Sequence, residues 1–507
     1  MCRRTNLKEI SDCKVMAGES VASQHRVVVC RMTLVVRKRK SVNVEPRTRW
    51  WKLKKEECRE AFRKDVSLML DGQDEAGISW ELMAKSVRET ARKVLGTSSG
   101  QRKENKETWW WNEEVQESIK KKKIAKSRLD SLRDELSKQE YKESKRLAKR
   151  AVAKAKMKAY EELYAKLGRH EGEKELYRLA RQRDRAGKDM QQARSIKDKD
   201  GNVITREECV LRRWKEYFQK LMNEENERER RSVSMEGVEK KVNRVSKGEV
   251  RRAMKRMKNG KAVGPDDIPI EAWKCLGEKA VNFLTSLFNE ILEKEEMPDE
   301  WRRSVMIPVF KNKGDVQSCS NYRGIKLLSH SMKLWERVIE ARLRKEVVIS
   351  EQQYGFMPRK CTTDAIFALR MLVEKYRDGQ KELHSVFVDL EKAYDRVPRE
   401  KLWYCMMKSG VTVKYVRLVQ DMYKKCVTAV KCAVGTTTDF KVEVELHQGS
   451  ALSPLLFALV MERLTEEVRT ESPWTMMFAD DIVLVSDSRE EIEVRLERWR
   501  NALEKGG

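Results

Sequence analysis

The decamer Met476-Met477-Phe478-Ala479-Asp480-Asp481-Ile482-Val483-Leu484-Val485 sets two adjacent carboxylates between two apolar runs. The flanks have the apolar, partly β-branched character of buried strands, and two neighbouring anions placed there repel each other and lose hydration. If the runs pair as a hairpin, the turn gathers both acids at one point, where a hard divalent cation such as Mg²⁺ would neutralise them. Taken alone, the decamer also reads as a solvated turn that carries Asp-Asp by chance, and a dipeptide does not separate the two readings.

Around it lie 507 residues, of which 37% are charged and 40% hydrophobic, with a formal net charge of +27 and a pI near 9.5. The length allows several folded units. The basic excess implies an anionic partner, with nucleic acid first, because Lys and Arg neutralise phosphates and release counterions. A membrane surface fits less well: no run of 18 apolar residues exists, and residues 1–20 lack the apolar centre of a signal peptide. The expectation is an intracellular protein, nuclear or cytoplasmic, not secreted and without a membrane partner. Eleven cysteines are scattered with no Cys-x-x-Cys pair, which favours reduced thiols over a zinc module or a disulfide framework.

Upstream, Val27-Val28-Val29 predicts a strand, preceded by Ser23-Gln24-His25 and followed by the basic run Val36 to Lys40. From Trp50 to Gly168 the chain is charged and helical. Residues 101–200 hold 30 Lys and Arg against 19 Asp and Glu. Apolar positions at helical spacing (Val115, Ile119, Leu129, Leu132, Leu136, Leu147, Ala151, Ala155) predict a pair of long amphipathic helices. Their basic faces would either track a nucleic-acid backbone or be solvated. Trp109-Trp110-Trp111 reads as a packing anchor rather than a stacking platform. Ile196 to Ile204 predicts a hairpin turning at Asp200-Gly201, a helix follows with Trp214, Tyr217, Phe218 and Leu221, and residues 223–245 read as a linker.

From Ser246 glycine and proline punctuate shorter elements, which predicts a folded domain of helices and strands running to the end. Lys258 to Pro269 is a basic, glycine-bearing loop suited to an anion. Ser304 to Phe310 and Tyr322 to Leu328 predict a hairpin that presents Lys311, Lys313 and Arg323, either toward a triphosphate or simply to solvent. Ser385 to Leu390 predicts a buried strand ending on Asp389, where an acid must be paired, exposed or metal-bound. Beyond His447-Gln448-Gly449-Ser450, Ser453 would cap a helix whose first turn holds Pro454 and which buries Leu456, Leu459 and Val460.

An acid at a strand end, a Gln-Gly loop before a helix, and Asp-Asp in a hairpin turn occur in the order found in reverse transcriptases. The chain closely resembles the polymerase of non-LTR, LINE-like retrotransposons, in particular the RTE/BovB-type branch. The matching stretches are Gly260 to Asp266, Asn321 to Ile325, Gln353 to Phe356, Phe387 to Asp395, Gln448 to Pro454 and Phe478 to Asp481. The resemblance implies an α+β fold, the fingers and palm of a right-hand polymerase with an antiparallel palm sheet and flanking helices, over residues 246–507. The long charged helical region of residues 47–222 would precede it. It implies RNA-directed DNA polymerase activity, with RNA template, DNA primer and deoxynucleoside triphosphates as partners. Asp389, Asp480 and Asp481 would be the catalytic ligands of two Mg²⁺ ions, with Mn²⁺ as a substitute. Tyr394 would crowd a ribose 2′-hydroxyl, Gln448 and Gly449 would line the nucleotide and template site, and Arg323 and Lys311 would meet the triphosphate.

Residues 1–46 resemble the carboxy-terminal end of the apurinic-type endonuclease that precedes such polymerases. Gln24 stands at the Asp position of its Ser-Asp-His motif, and the resemblance implies that most of the nuclease and the thumb are missing, so no nuclease activity is expected. The alternative function is a nucleic-acid-binding remnant that keeps the acids without polymerising; an RNA-directed RNA polymerase fits Tyr394 poorly.

Overall fold

The computed structural model describes residues 10–22, 25–32, 46–70, 78–98, 110–132, 134–166, 195–224, 237–390 and 392–506. Ser23, Gln24, the basic run at 36–40, Trp109 and residues 225–236 of the expected linker lie outside them. In chain order the first elements are β1 (Ile10–Ala22), β2 (His25–Met32), α1 (Glu56–Leu70), α2 (Trp80–Leu95), α3 (Glu113–Leu132) and α4 (Glu135–Lys166). Then come β3 (Ile196–Lys197), β4 (Val203–Ile204), α5 (Glu207–Leu221), α6 (Lys247–Arg256), α7 (Ile270–Leu276) and α8 (Glu278–Lys294).

The chain divides into two compact units, Met1–Arg47 with Thr97–Ala155, and Thr48–Gly96 with Lys156–Gly507. In the first, β2 is not a lone strand: it pairs antiparallel with β1, Cys13 opposite Cys30 and Val15 opposite Val28. Helices α3 and α4 are the two long helices read from the spacing, but their contact is narrow. Val115, Ala151 and Ala155 are buried, with Trp110, Ile119 and Val152 packed against them. Leu136 and Leu147 are exposed, because alanines on one helix leave room for only one apolar stripe between two heavily charged faces.

The second unit carries the large core. Trp80 packs on Trp273 at 6.1 Å and edge-on to Trp301 at 5.1 Å, and Trp273 stacks on Phe283 at 6.1 Å, joining α2, α7 and α8. The expected hairpin at residues 196–204 is β3 with β4. On α5, Trp214 and Phe218 are buried, Trp214 against Tyr322 at 5.0 Å. The later elements are β5 (Arg303–Phe310), β6 (Tyr322–Leu327), α9 (His330–Leu343), α10 (Thr362–Asp378), β7 (His384–Asp389), α11 (Ala393–Arg396), α12 (Arg399–Lys408), α13 (Val413–Tyr423), β8 (Val427–Cys432), β9 (Gly435–Thr436), β10 (Phe440–Lys441), α14 (Ser453–Leu464), β11 (Thr475–Phe478), β12 (Asp481–Ser486) and α15 (Arg489–Gly506).

Two sheets result. One is mixed and five-stranded, in the order β10-β8-β5-β6 with β9 on β8; β5 and β6 are the predicted antiparallel hairpin, and β8 lies parallel to β5. The other is antiparallel, in the order β11-β12-β7. Helix and strand are thus mixed, with an antiparallel sheet carrying Asp389 and Asp481. Strand β7 is not buried as its composition predicts. It is the edge of its sheet; Val386 and Val388 turn toward the core, while Phe387 is 68% exposed.

Helix α6 starts with a capping box between Ser246 and Glu249, and the same carboxylate accepts two bonds from Arg342 of α9 at 2.7 and 2.9 Å. Burial opposes the charge on Glu249, but Arg342 and Ser246 outweigh it and hold the carboxyl down at about 2, against an ordinary 4.5. A depressed acid stabilises the fold above its unfolded pKa and loses that contribution as pH falls through the folded value. Glu249→Gln is therefore expected to lower the denaturant midpoint at neutral pH, with the gap to the native chain narrowing between about pH 4.5 and about pH 2. A gap that stays constant over that window refutes the assignment.

Candidate active site

The β11–β12 hairpin closes between Phe478 and Asp481, leaving Ala479 and Asp480 as the turn. Asp481 is the register partner of Asp389 at the end of β7. Partners across an antiparallel pair have Cα atoms roughly 4.5–5.5 Å apart with side chains on one face. Asp480 lies in the turn beside them, so the expected acids of strand end and hairpin lie at one end of the sheet. Their charges interact: burial first, then Asp480 and Asp389, push the Asp481 carboxyl above its ordinary range. Among the described residues no three His, Cys, Asp or Glu side chains stand close enough together to hold a metal ion. The donor set nevertheless suits a hard cation, since all three groups offer carboxylate oxygen and their mutual repulsion is relieved by positive charge.

The turn is strained and clamped. Ala479 has φ +59, a left-handed conformation that costs a residue with a Cβ about 1–2 kcal/mol. Gln353, fully buried, accepts hydrogen bonds through Oε1 from the amides of Ala479 (3.0 Å) and Gly355 (2.8 Å). The main chain of residues 352–354 runs along β11: Tyr354 N–H donates to Met477 O, and Met477 N–H to Gln352 O, each at 2.8 Å. A Cβ at Gly355 would clash with the Ala479 backbone. The strain at the acids is thus maintained by a segment more than 100 residues earlier.

The second wall is the loop of residues 447–452. Gly449 has φ +111, and a Cβ there would lie 2.6 Å from Lys326 O. Gln448 Nε2 donates to Asp395 Oδ1 at 2.7 Å. Buried Glu336, in α9, accepts from Ser450 Oγ at 2.7 Å and from Ala451 N–H at 2.8 Å. Ser453 does not cap α14 as its sequence suggests; Leu452 holds that position without a side-chain bond. Ser450 Oγ instead accepts from the amides of Leu452 and Ser453, because the tight turn brings its hydroxyl over the helix start. Leu456, Leu459 and Val460 are buried as expected.

Tyr394, in α11, stacks on Phe457 of α14 at 4.3 Å and stands edge-on to Phe356 at 6.0 Å. Burial and the Asp480 charge push its hydroxyl above the ordinary value, and Oη has no hydrogen-bond partner among the described residues. Burial raises the Asp395 carboxyl to about 6, although Lys326, Lys392, Lys311 and Gln448 oppose it. Lys311 therefore lies within electrostatic reach of this wall. Arg323 is exposed on β6, opposite Val309, and no hydrogen bond or ion pair joins it to the other site residues among those described. The structure places Asp389, Asp480, Asp481 and Tyr394 within electrostatic reach of one another, couples Gln448 and Lys311 to Asp395, sets Gly449 against the Lys326 carbonyl, and leaves Arg323 at the surface of its strand. Gln353 and Glu336 have no role legible from the sequence alone, although an acid among the apolar residues Leu334, Trp335, Val338 and Ile339 of one helix is a signal for the latter.

Residues 310–507 match the family model described as "Reverse transcriptase (RNA-dependent DNA polymerase)". Proteins similar to the chain are named for transposons and retrotransposable elements. The chain is similar to the "Probable RNA-directed DNA polymerase from transposon X-element" of Drosophila melanogaster, at 26% identity over 48% of this chain and 27% of the relative. It is similar to the "Transposon TX1 uncharacterized 149 kDa protein" of Xenopus laevis, at 28% identity over 49% of this chain and 20% of that one. A third relative is the "Retrovirus-related Pol polyprotein from type-1 retrotransposable element R2" of Nasonia vitripennis, at 25% identity over 48% and 24%. The chain spans about a quarter of the length of these relatives. No described helix is long and apolar enough to cross a membrane.

Removing the Gln353 clamp leaves two buried amides without their acceptor. Gln353→Ala is expected to cost about 1–3 kcal/mol in denaturant unfolding; an unchanged midpoint would mean that the turn is held by its strands alone.

Proposed function

We propose that the chain is the RNA-directed DNA polymerase of a non-LTR retrotransposon of the RTE/BovB-type branch, extending a primer 3′-hydroxyl on an RNA template. Residues 246–507 carry fingers and palm on this reading, and the basic helices of residues 47–222 add affinity for nucleic acid. The observation that carries it is the Asp389–Asp481 register with Asp480 in the adjoining turn, inside the stretch that matches the reverse transcriptase family model. Those three aspartates would hold Mg²⁺, which supplies charge neutralisation for the attacking hydroxyl and the leaving pyrophosphate.

The remaining work falls to the chain's own side chains. The ring of Tyr394, fixed between Phe457 and Phe356, is rigid enough to exclude a ribose 2′-hydroxyl and so select deoxynucleotides. The Gln448-Gly449 backbone allows a base pair to approach closely where no Cβ intervenes. Lys311 and Arg323 offer positive charge to the triphosphate, Arg323 through a bidentate fork that its exposed position leaves available.

In primer extension on an RNA template with Mg²⁺ and deoxynucleotides, the chain is expected to incorporate, and Asp480→Asn to reduce incorporation at least about a thousandfold, several kcal/mol of transition-state stabilisation. Absence of incorporation by the native chain, with salt-sensitive RNA binding retained, would favour the non-polymerising alternative. A second check needs no turnover: Mg²⁺ should raise the unfolding temperature of the native chain and leave that of an Asp480→Asn, Asp481→Asn double variant unmoved. An equal rise in both would place the ion elsewhere.

A further inference from the structure

Behind the nucleotide wall, β6 and the loop that carries Gln448 are joined by an ion pair that water does not reach. Lys326 Nζ donates to Glu445 Oε1, and each residue keeps 1% of its surface exposed. The main chain of Lys326 holds the same loop from a second side. Its N–H donates to Gln448 O at 2.9 Å, and its carbonyl is the atom against which Gly449 lies. Glu445 is held in turn against the tyrosine: its N–H donates to Val397 O at 3.4 Å, and the next amide, of Leu446, to Tyr394 O at 2.9 Å. Glu445 also adopts φ +109, a conformation that residues with a Cβ rarely take, and its Oε2 has no partner among the described residues.

Stability alone does not account for such a pair. Apolar side chains of similar volume would fill the site without the desolvation cost, and what they lack is a directional bond of fixed length. That bond reaches one backbone segment leading to Gln448 and Gly449 and another leading to Tyr394. We infer that Lys326 and Glu445 are positioning residues for nucleotide selection, fixing the separation between the Gln448–Gly449 backbone and the Tyr394 ring and with it the room left for a 2′-hydroxyl. The inference rests on the polymerase reading given above and assigns that site two residues which do not touch the nucleotide.

The test is primer extension by the full chain with deoxy- and ribonucleoside triphosphates, comparing Lys326→Met, Glu445→Gln and the double variant Lys326→Met, Glu445→Met. Each single variant leaves one uncompensated buried group and is at risk of misfolding. The double variant removes both charges and keeps the volume, so it decides the question if the singles do not fold. The expected result is a fall of about tenfold in the ratio of kcat/KM for deoxy- over ribonucleotides, carried by a lower KM for the ribonucleotide, with kcat for deoxynucleotides within about threefold of native. The double variant is expected to share the loss although its unfolding temperature returns toward the native value. Native discrimination in the double variant would overturn the inference and leave the pair a structural one. A loss confined to kcat and equal for both sugars would overturn it as well. Failure of the native chain to incorporate at all would instead strike the polymerase reading, whereas an active native chain with unaltered variants strikes only the positioning role.

Discussion

Three acids at one end of a sheet are the constraint to which the rest of the second unit answers. Asp389 and Asp481 are cross-strand partners and Asp480 lies in the turn beside them. Like charges directly opposite on a sheet are destabilising, and here burial adds to the repulsion at Asp481. A fold that keeps such an end must hold it mechanically, and the clamp is visible. Gln353 spends its side-chain acceptor on the turn, Gly355 vacates the space the turn needs, and residues 352–354 run alongside β11. Strain at Ala479 is maintained by these contacts, a distribution of cost common where geometry serves chemistry.

The same logic extends outward through buried polar groups. Glu336 ties the 450–451 turn to α9, Lys326 and Glu445 tie the loop before it to β6, and Gln448 ties it to Asp395. Buried charges are costly unless their bonds are made, and each made bond fixes a distance that apolar packing would leave adjustable. The aromatic stack of Tyr394 on Phe457 sets the remaining wall. The site is therefore framed by contacts from α9, α11, α14, β6 and the 352–355 segment.

Much of this frame was legible in the chain. The hairpin around Asp480 and Asp481, the strand ending on Asp389, the β5–β6 hairpin and the α14 helix all follow from apolar runs interrupted by turn residues. Other readings failed for a definable reason. The apolar β7 looked buried, yet the antiparallel sheet it joins is covered at β7 on one face only, and an apolar run does not reveal which faces of a sheet are covered. Ser453 looked like a cap because Ser-Pro precedes an apolar run, whereas Ser450 reaches the same amides through a turn whose shape Gly449 permits. Leu136 and Leu147 fit a helical stripe but lie beyond the short contact that Ala151 and Ala155 allow.

By itself the sequence singled out the candidates for chemistry and their order, because acids, glycines and a tyrosine inside apolar strands and helix starts are costly enough to be conspicuous. It also determined the basic excess that calls for an anionic partner. Tertiary structure alone decided that Asp481 faces Asp389, that Gln353 grips the turn from far upstream, and that Lys326 finds Glu445 behind the loop of Gln448 and Gly449. Register, sheet order and the pairing of buried charges are relations between distant segments, and they are fixed by packing and directional bonds that leave no local pattern in the chain.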